Sequence, residues 1–224
     1  MKSGGGLGKG KMTGKKLLFV DTETNGLPKN RYAPYTAVDC WPEIIQISWQ
    51  IVDGETWETL SETDSFLKPK GLWSKEAERV HQIPETIVAK FGKEHIDVFS
   101  KFNEDLAQCD YVISHNMMFD KTVILCEIQR LWESGNKTLK PGVFWKKGIR
   151  DICTMNTTKE FCGVTFPNSK DFKYPKLNEL YLKLFGKVYD ISGADLHNAK
   201  HDVSCLVMCL KKLVSLPQFV KLLA

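Results

Sequence analysis

The chain lacks any apolar run approaching the roughly 20 residues that a bilayer-spanning helix requires. Its N-terminal lysines are not followed by the apolar core of a secretory signal, so export is not expected. Seven cysteines are present (Cys40, Cys109, Cys126, Cys153, Cys162, Cys205 and Cys209), yet none forms a CxxC pair, and an odd number argues against a closed disulfide framework. Cys205 and Cys209 stand one helical turn apart, as suits buried thiols in a reducing, cytoplasmic compartment. Internal repeats are absent, and the one biased segment is residues 1–14, MKSGGGLGKGKMTG. That segment has little to bury and reads as a flexible basic tail, leaving residues 15–224 as one domain.

A strong overall charge is missing too. The net +4 arises from the tail: without the five lysines of residues 1–16, the 31 basic residues become 26, against 27 acidic ones. Within the remainder, residues 121–150 carry seven bases against two acids. Such a stretch can line a phosphate backbone or simply keep surface lysines in water.

What is present is a pattern of short elements. Residues 17–20 are continuously apolar, as in a strand buried on both faces. Residues 28–42 form a long polar and aromatic loop. Ile45, Ile47, Trp49 and Ile51 then alternate with Gln46, Ser48 and Gln50, the period of a half-exposed strand. Asp53-Gly54 predicts a hairpin turn into a return strand over about residues 56–67, giving three antiparallel strands. Helices are expected from the Ser74 cap to residue 80, from Pro84, and over residues 96–109. A strand at 111–114 precedes an amphipathic helix at 119–132, and a basic loop carrying Trp145 follows at 137–150. A helix ends at Gly186, and a last one carries Val203, Leu206, Val207, Leu210, Leu213 and Val214. This order gives an α/β fold with a mixed sheet flanked by helices.

Asp21 and Glu23 close the apolar run, and period-two geometry puts both on one face. Acids so placed repel one another unless a cation lies between them, and hard divalent cations take oxygen ligands. Alone, the pair could equally be a solvated strand end. Asp120 begins a helix, where a carboxylate is favoured whether it caps or catalyses. Asp202 on the polar side of the last helix, and His197 near its start, would each pass alone for surface groups.

In order, LLFVDTETNGL, VISHNMMFD and LHNAKHDV resemble the three sequence blocks of the DEDDh 3′→5′ exonucleases, the family of proofreading exonuclease subunits and their stand-alone relatives. The first block matches through Asp21, Thr22, Glu23, Thr24, Gly26 and Leu27, and the second through His115, Asn116, Phe119 and Asp120. The third matches through the His197-to-Asp202 spacing with Ala199 between. PEIIQI, VHQI and KLNELYLKLFG add support, and the resemblance runs from about residue 15 to 213. Asn25 stands where a second Thr is commoner, at a position carrying neither metal ligation nor the histidine role. Gln82 stands where Gly is common. Loops 28–42 and 137–150 look like additions that bear on substrate preference.

The resemblance implies an RNase H-like sheet and phosphodiester hydrolysis assisted by two divalent ions. Mg²⁺ or Mn²⁺ suits an all-oxygen site, whereas no Cys/His cluster invites Zn²⁺. It implies that Asp21, Glu23, Asp120 and Asp202 hold the ions, with Asp21 bridging. His197 would take the proton from the attacking water, work to which an ordinary pKa of roughly 6.5 is suited. Thr24, Leu27, Ile83, Asn116 and Phe119 would meet the terminal nucleotide, Leu27 and Ile83 as a wedge, although Leu27, Ile83 and Phe119 would serve equally as core. The expected substrate is DNA with single-stranded or mismatched 3′ ends, yielding nucleoside 5′-monophosphates, with a polymerase or replication protein as a further partner. Alternatives are an exoribonuclease acting on short RNA or RNA 3′ ends, an inactive module docking on a polymerase, and a phosphatase of small metabolites. Tyr32, Tyr35, Trp41 and Trp145, interleaved with Arg31, Lys146 and Lys147, would either stack on a single strand or anchor the two loops.

Overall fold

The apolar run at residues 17–20 lies in the middle of a five-stranded sheet. In the computed structural model, which describes residues 14–145, 147–189 and 198–224, the strands are β1 (Lys16–Thr24), β2 (Ile44–Asp53), β3 (Thr59–Phe66), β4 (Tyr111–Ser114) and β5 (Arg150–Cys153), in the order β3-β2-β1-β4-β5. β1 pairs antiparallel with β2 and parallel with β4; β3 extends the antiparallel side and β5 the parallel side. Helices α1 (Lys75–His81), α2 (Glu85–Phe91) and α3 (His95–Ala107) follow β3. The long α4 (Met117–Glu133) follows β4, and the short α5 (Pro141–Phe144) leads to β5. Then come α6 (Thr154–Thr157), α7 (Lys159–Cys162), α8 (Leu177–Phe185) and α9 (Ala199–Leu213). The expected mixed α/β sheet with three antiparallel strands is what forms.

The alternation of β1 divides the core in two. Leu18 and Val20 face α3 and α4, packing in one cluster with Phe99, Phe102, Val123 and Ile124. Leu17 and Phe19 face the other way, onto Val203, Leu206 and Leu210 of α9. The outer side of α9 is covered in turn by α7 and α8, through Cys162, Leu180 and Tyr181 against Cys205, Cys209 and Leu213. Each buried aliphatic or aromatic side chain contributes up to about 1.5–3 kcal/mol, so β1, packed on both faces and paired on both edges, is a firm base for whatever follows it. Among the described residues no helix is long and apolar enough to cross a membrane.

Two expectations change. β2 is not half-exposed: Gln46 and Ser48 are as buried as their apolar neighbours because α9 covers that face. Their polar atoms are paired there. Gln46 Nε2 donates to Asp64 Oδ1 (2.9 Å) and Asn198 Oδ1 (3.2 Å), and the Ser48 hydroxyl donates to the Thr63 carbonyl (3.2 Å). The β2–β3 turn does follow Asp53-Gly54, over residues 54–56. Asp53 Oδ1 accepts the Glu55 and Thr56 amides, and Trp57 takes the left-handed conformation at φ 64°. Finally, β5 is a strand inside what reads as loop and linker, since Ile152 is its sole buried residue and no period betrays it.

The long loop at residues 28–42 is fastened to α4. The Arg130 guanidinium donates to the carbonyls of Val38 (2.7 Å), Trp41 (2.6 Å) and Pro42 (3.3 Å). Arg130 also pairs with buried Glu127 (2.8 Å), which accepts the Ile44 amide (3.0 Å) and meets His95 Nδ1 at 2.9 Å. His95 Nε2 lies 3.0 Å from the Lys68 carbonyl, so both ring nitrogens face acceptors, an arrangement that favours the imidazolium. Burial opposes a charge on the ring, but the bond to and charge of Glu127, with the Lys68 carbonyl and Glu43, together outweigh it and raise the His95 pKa.

Candidate metal and substrate cleft

β1 carries Asp21 and Glu23 just past its buried run, on the α9 side of the sheet by the same alternation that points Leu17 and Phe19 there. Asp202 stands in the first turn of α9, whose start is fixed by Asn198: its side chain caps the Lys200 amide at 3.1 Å. Gln46, which faces Glu23 across the β1–β2 ladder, accepts the Ala199 amide at 3.2 Å while donating to Asn198. One buried glutamine thus ties the start of α9, and Asp202 with it, to the sheet. The outcome is that one carboxylate oxygen from each of Asp21, Glu23 and Asp202 lies within 4.8 Å of the others.

Asp120 arrives from the opposite layer, in the first turn of α4 after β4. It is buried, and its Oδ1 accepts the Thr22 hydroxyl at 2.8 Å. Thr22 points to the α4 face between Asp21 and Glu23, so β1 presents two acids on one side and, on the other, the hydroxyl that holds Asp120. All of this sits at the carboxyl ends of the parallel pair β1 and β4, where α/β sheets bind ligands.

The electrostatics are those of a cation site. Desolvation and the charges of Asp202, Asp120 and Glu23 raise the Asp21 pKa well above the usual carboxylate value. Desolvation, then Asp202 and Asp120, push Glu23 up to about 9. Asp120 is pushed by burial to about 6, a rise restrained by the hydrogen bond from Thr22. Acids that cannot all ionise without a positive charge among them, offering only carboxylate oxygen, match the donor set of Mg²⁺ or Mn²⁺.

The acids open into a cleft of about 680 Å³ whose walls include Asp21, Asp120, Asp202, Asn116, Phe119, His115, Arg79 and His201. His115 is fixed in the wall. Its Nε2 donates to the Pro175 carbonyl (2.9 Å), its Nδ1 meets the Thr154 hydroxyl (2.9 Å), and burial lowers its pKa.

The other residues singled out in the sequence fall as follows. Asn116 and half-buried Phe119 line the cleft, and the Phe119 ring lies 6.3 Å from that of Trp41. The Thr24 hydroxyl donates to the Gly26 carbonyl (2.8 Å), which shapes the exit of β1, and Leu27 beyond it is 82% exposed. Ile83 is buried with Ile45 and Val88 beneath the sheet edge. His197 lies outside the described residues; its neighbour Asn198 is held by Gln46. Trp41 and Trp145 are loop anchors, donating to the Ala33 carbonyl (3.2 Å) and Asp151 Oδ1 (2.9 Å), and Tyr35 packs on the main core. Tyr32 projects into solvent. Sequence reasoning missed Gln46, whose polar character was assigned to water. It also undervalued Asn25, which is buried and accepts the Glu43 amide at 2.8 Å while donating to the Leu72 carbonyl at 3.1 Å.

No protein-family model and no curated protein sequence matches this chain. Solved structures do match. E. coli exonuclease I in complex with a dA16 oligonucleotide superposes with a TM-score of 0.66 at 16% identity, covering 91% of this chain and 41% of that one. The same enzyme with a dT13 oligonucleotide gives 0.67 at 17% identity, covering 93% and 42%. Exonuclease I from Methylocaldum szegediense gives 0.65 at 17% identity, covering 91% and 41%. The chain therefore spans about two fifths of the length of these proteins. At such identities the likeness establishes the fold, which is RNase H-like.

Proposed function

We propose that this chain is a metal-dependent 3′→5′ exonuclease of the DEDDh type, releasing nucleoside 5′-monophosphates from DNA. The observation that carries the reading is the convergence of Asp21, Glu23, Asp120 and Asp202, drawn from both layers of the fold, at one end of the β1–β4 pair. The match to exonuclease I structures, two of them holding oligonucleotides, supports nucleic acid as the partner.

Asp21, Glu23 and Asp202 would hold Mg²⁺ or Mn²⁺ with Asp120 completing the set, and ions held there stabilise charge on the attacking and departing oxygens of a phosphodiester. The protein's own groups do the rest. Thr22 orients Asp120, Gln46 and Asn198 fix the helix bearing Asp202, and Asn116 and Phe119 wall the space for the terminal nucleotide. His197, next to the Asn198 cap, would accept the proton of the attacking water. The exposed Arg79, which has no ion-pair partner among the described residues, lies on the cleft wall where a phosphate would pass.

The test is digestion of 5′-labelled DNA and RNA strands with and without Mg²⁺, resolved by length. A metal-dependent ladder shortening from the 3′ end, lost in Asp21→Asn, is expected on DNA. A ladder on RNA alone would move the assignment to an exoribonuclease. Strand binding without cleavage under Mg²⁺ and Mn²⁺ would leave a binding module.

A further inference from the structure

We propose that Leu72, set beside Leu27 by the Asn25 side chain, completes an apolar pincer for unpaired nucleobases next to the acid cleft; the inference rests on the nucleic-acid reading above. The strap that bears Leu72 is fastened rather than loose. The Lys70 and Gly71 amides both donate to Glu43 Oε2, the Leu72 carbonyl accepts from Asn25 Nδ2 (3.1 Å), and the Ser74 amide donates to the Asn25 carbonyl (3.0 Å). Asn25 is itself locked to β2, with its amide on the Glu43 carbonyl (2.9 Å) and its Oδ1 accepting the Glu43 amide (2.8 Å). The approach is close at Gly71, where a Cβ would sit 3.2 Å from Glu43 Oε1 and 3.5 Å from Asn25 Nδ2.

A backbone so restrained carries a leucine that is 95% exposed, beside Leu27 at 82%. Both line one cavity of about 470 Å³. Leu27 also lines a second, of about 670 Å³, that shares Asn116 and Phe119 with the acid cleft. Lys29 borders both outer cavities and Arg31 the second, and neither has an ion-pair partner among the described residues. Apolar faces, free cations and a carboxylate cluster, in three cavities that adjoin through shared wall residues, match the base, phosphate and scissile ester of a single strand. In a duplex the base faces are already stacked, so the pincer engages only an unpaired 3′ segment. Asn25 is a positioning residue in this scheme.

The test uses the whole chain carrying Asp21→Asn and a single strand with 2-aminopurine at its penultimate 3′ position, read by fluorescence. Adding Leu72→Ala or Leu27→Ala should weaken binding about tenfold, the loss expected for one leucine contact, and should abolish the fluorescence change. Leu72→Met should retain both, and a blunt duplex should bind Leu72→Ala as it binds its parent. Asn25→Ala should reproduce the fluorescence loss of Leu72→Ala. Binding by Leu72→Ala within twofold of its parent, with the fluorescence change intact, would overturn the proposal. Failure of the parent to bind any strand is a different result, and would overturn the nucleic-acid reading itself.

Discussion

The Thr22 hydroxyl donates to Asp120 Oδ1 across 2.8 Å, joining β1 to α4 beneath the cleft, and both residues are buried. Thr22→Val preserves the shape but leaves a buried carboxylate short of a donor, which costs about 1–3 kcal/mol. Denaturant unfolding should show that loss. Single-turnover hydrolysis at saturating metal should fall by roughly tenfold or more, because Asp120 is no longer held in register.

Glu23 links stability to pH in the metal-free protein. Its pKa is near 9 in the folded chain against an ordinary 4.5, so between those values the folded state holds a proton that the unfolded chain has released. Folding is then progressively disfavoured as pH rises through that window, and the penalty is complete above it. Melting temperatures in EDTA should fall from pH 5 to pH 9, and less steeply in Glu23→Gln. Mg²⁺ or Mn²⁺ should restore the wild-type melting temperature at pH 8 and do little for the variant.

Gln46→Met keeps the volume of a buried side chain but removes the acceptor for the Ala199 amide and the donors to Asn198 and Asp64. The chain should still fold, with a stability loss of about 1–3 kcal/mol. Its kcat should drop by roughly an order of magnitude, since the helix that presents Asp202 loses its tie to the sheet. Circular dichroism melts alongside steady-state rates separate the two effects.

His95 acts in the opposite sense to Glu23. Burial works against its charge, Glu127, the Lys68 carbonyl and Glu43 together prevail, and the folded pKa lies above the usual 6.5. Its stabilisation is therefore fully present below that value and is lost as pH rises through the raised folded value. Glu127→Gln, which takes the shared carboxylate from half-buried His95 and Arg130, should cost about 1–3 kcal/mol at pH 6 and release loop 28–42 to limited proteolysis.

Much of this was legible because the apolar patterns and the acids share elements. The run at residues 17–20 specified a central strand, and Asp21 and Glu23 inherit their common face from it. Ser74 caps α1 as its residue type suggests, and Gly186 ends α8 in the left-handed conformation. What escaped was long-range. The polar alternation of β2 is the same whether Gln46 meets water or the end of a helix 153 residues away. Nothing in the local sequence marks Arg130 and Glu127, yet they hold a distant loop. Asn25 seemed dispensable because its bonds lie with residues 43, 72 and 74, which local sequence cannot bring together.

Asp120 reaches the site from the layer of α4, and Asp202 reaches it from the layer of α9, with β1 between them. The distance between these acids is consequently set by the thickness of the whole sandwich. The site works as a caliper closed across the sheet, its jaws held by Val123 and Ile124 on one side and Val203 and Leu206 on the other. A packing defect deep in either layer, far from any carboxylate, would reset the gap and register as altered ion affinity while the chain remained folded.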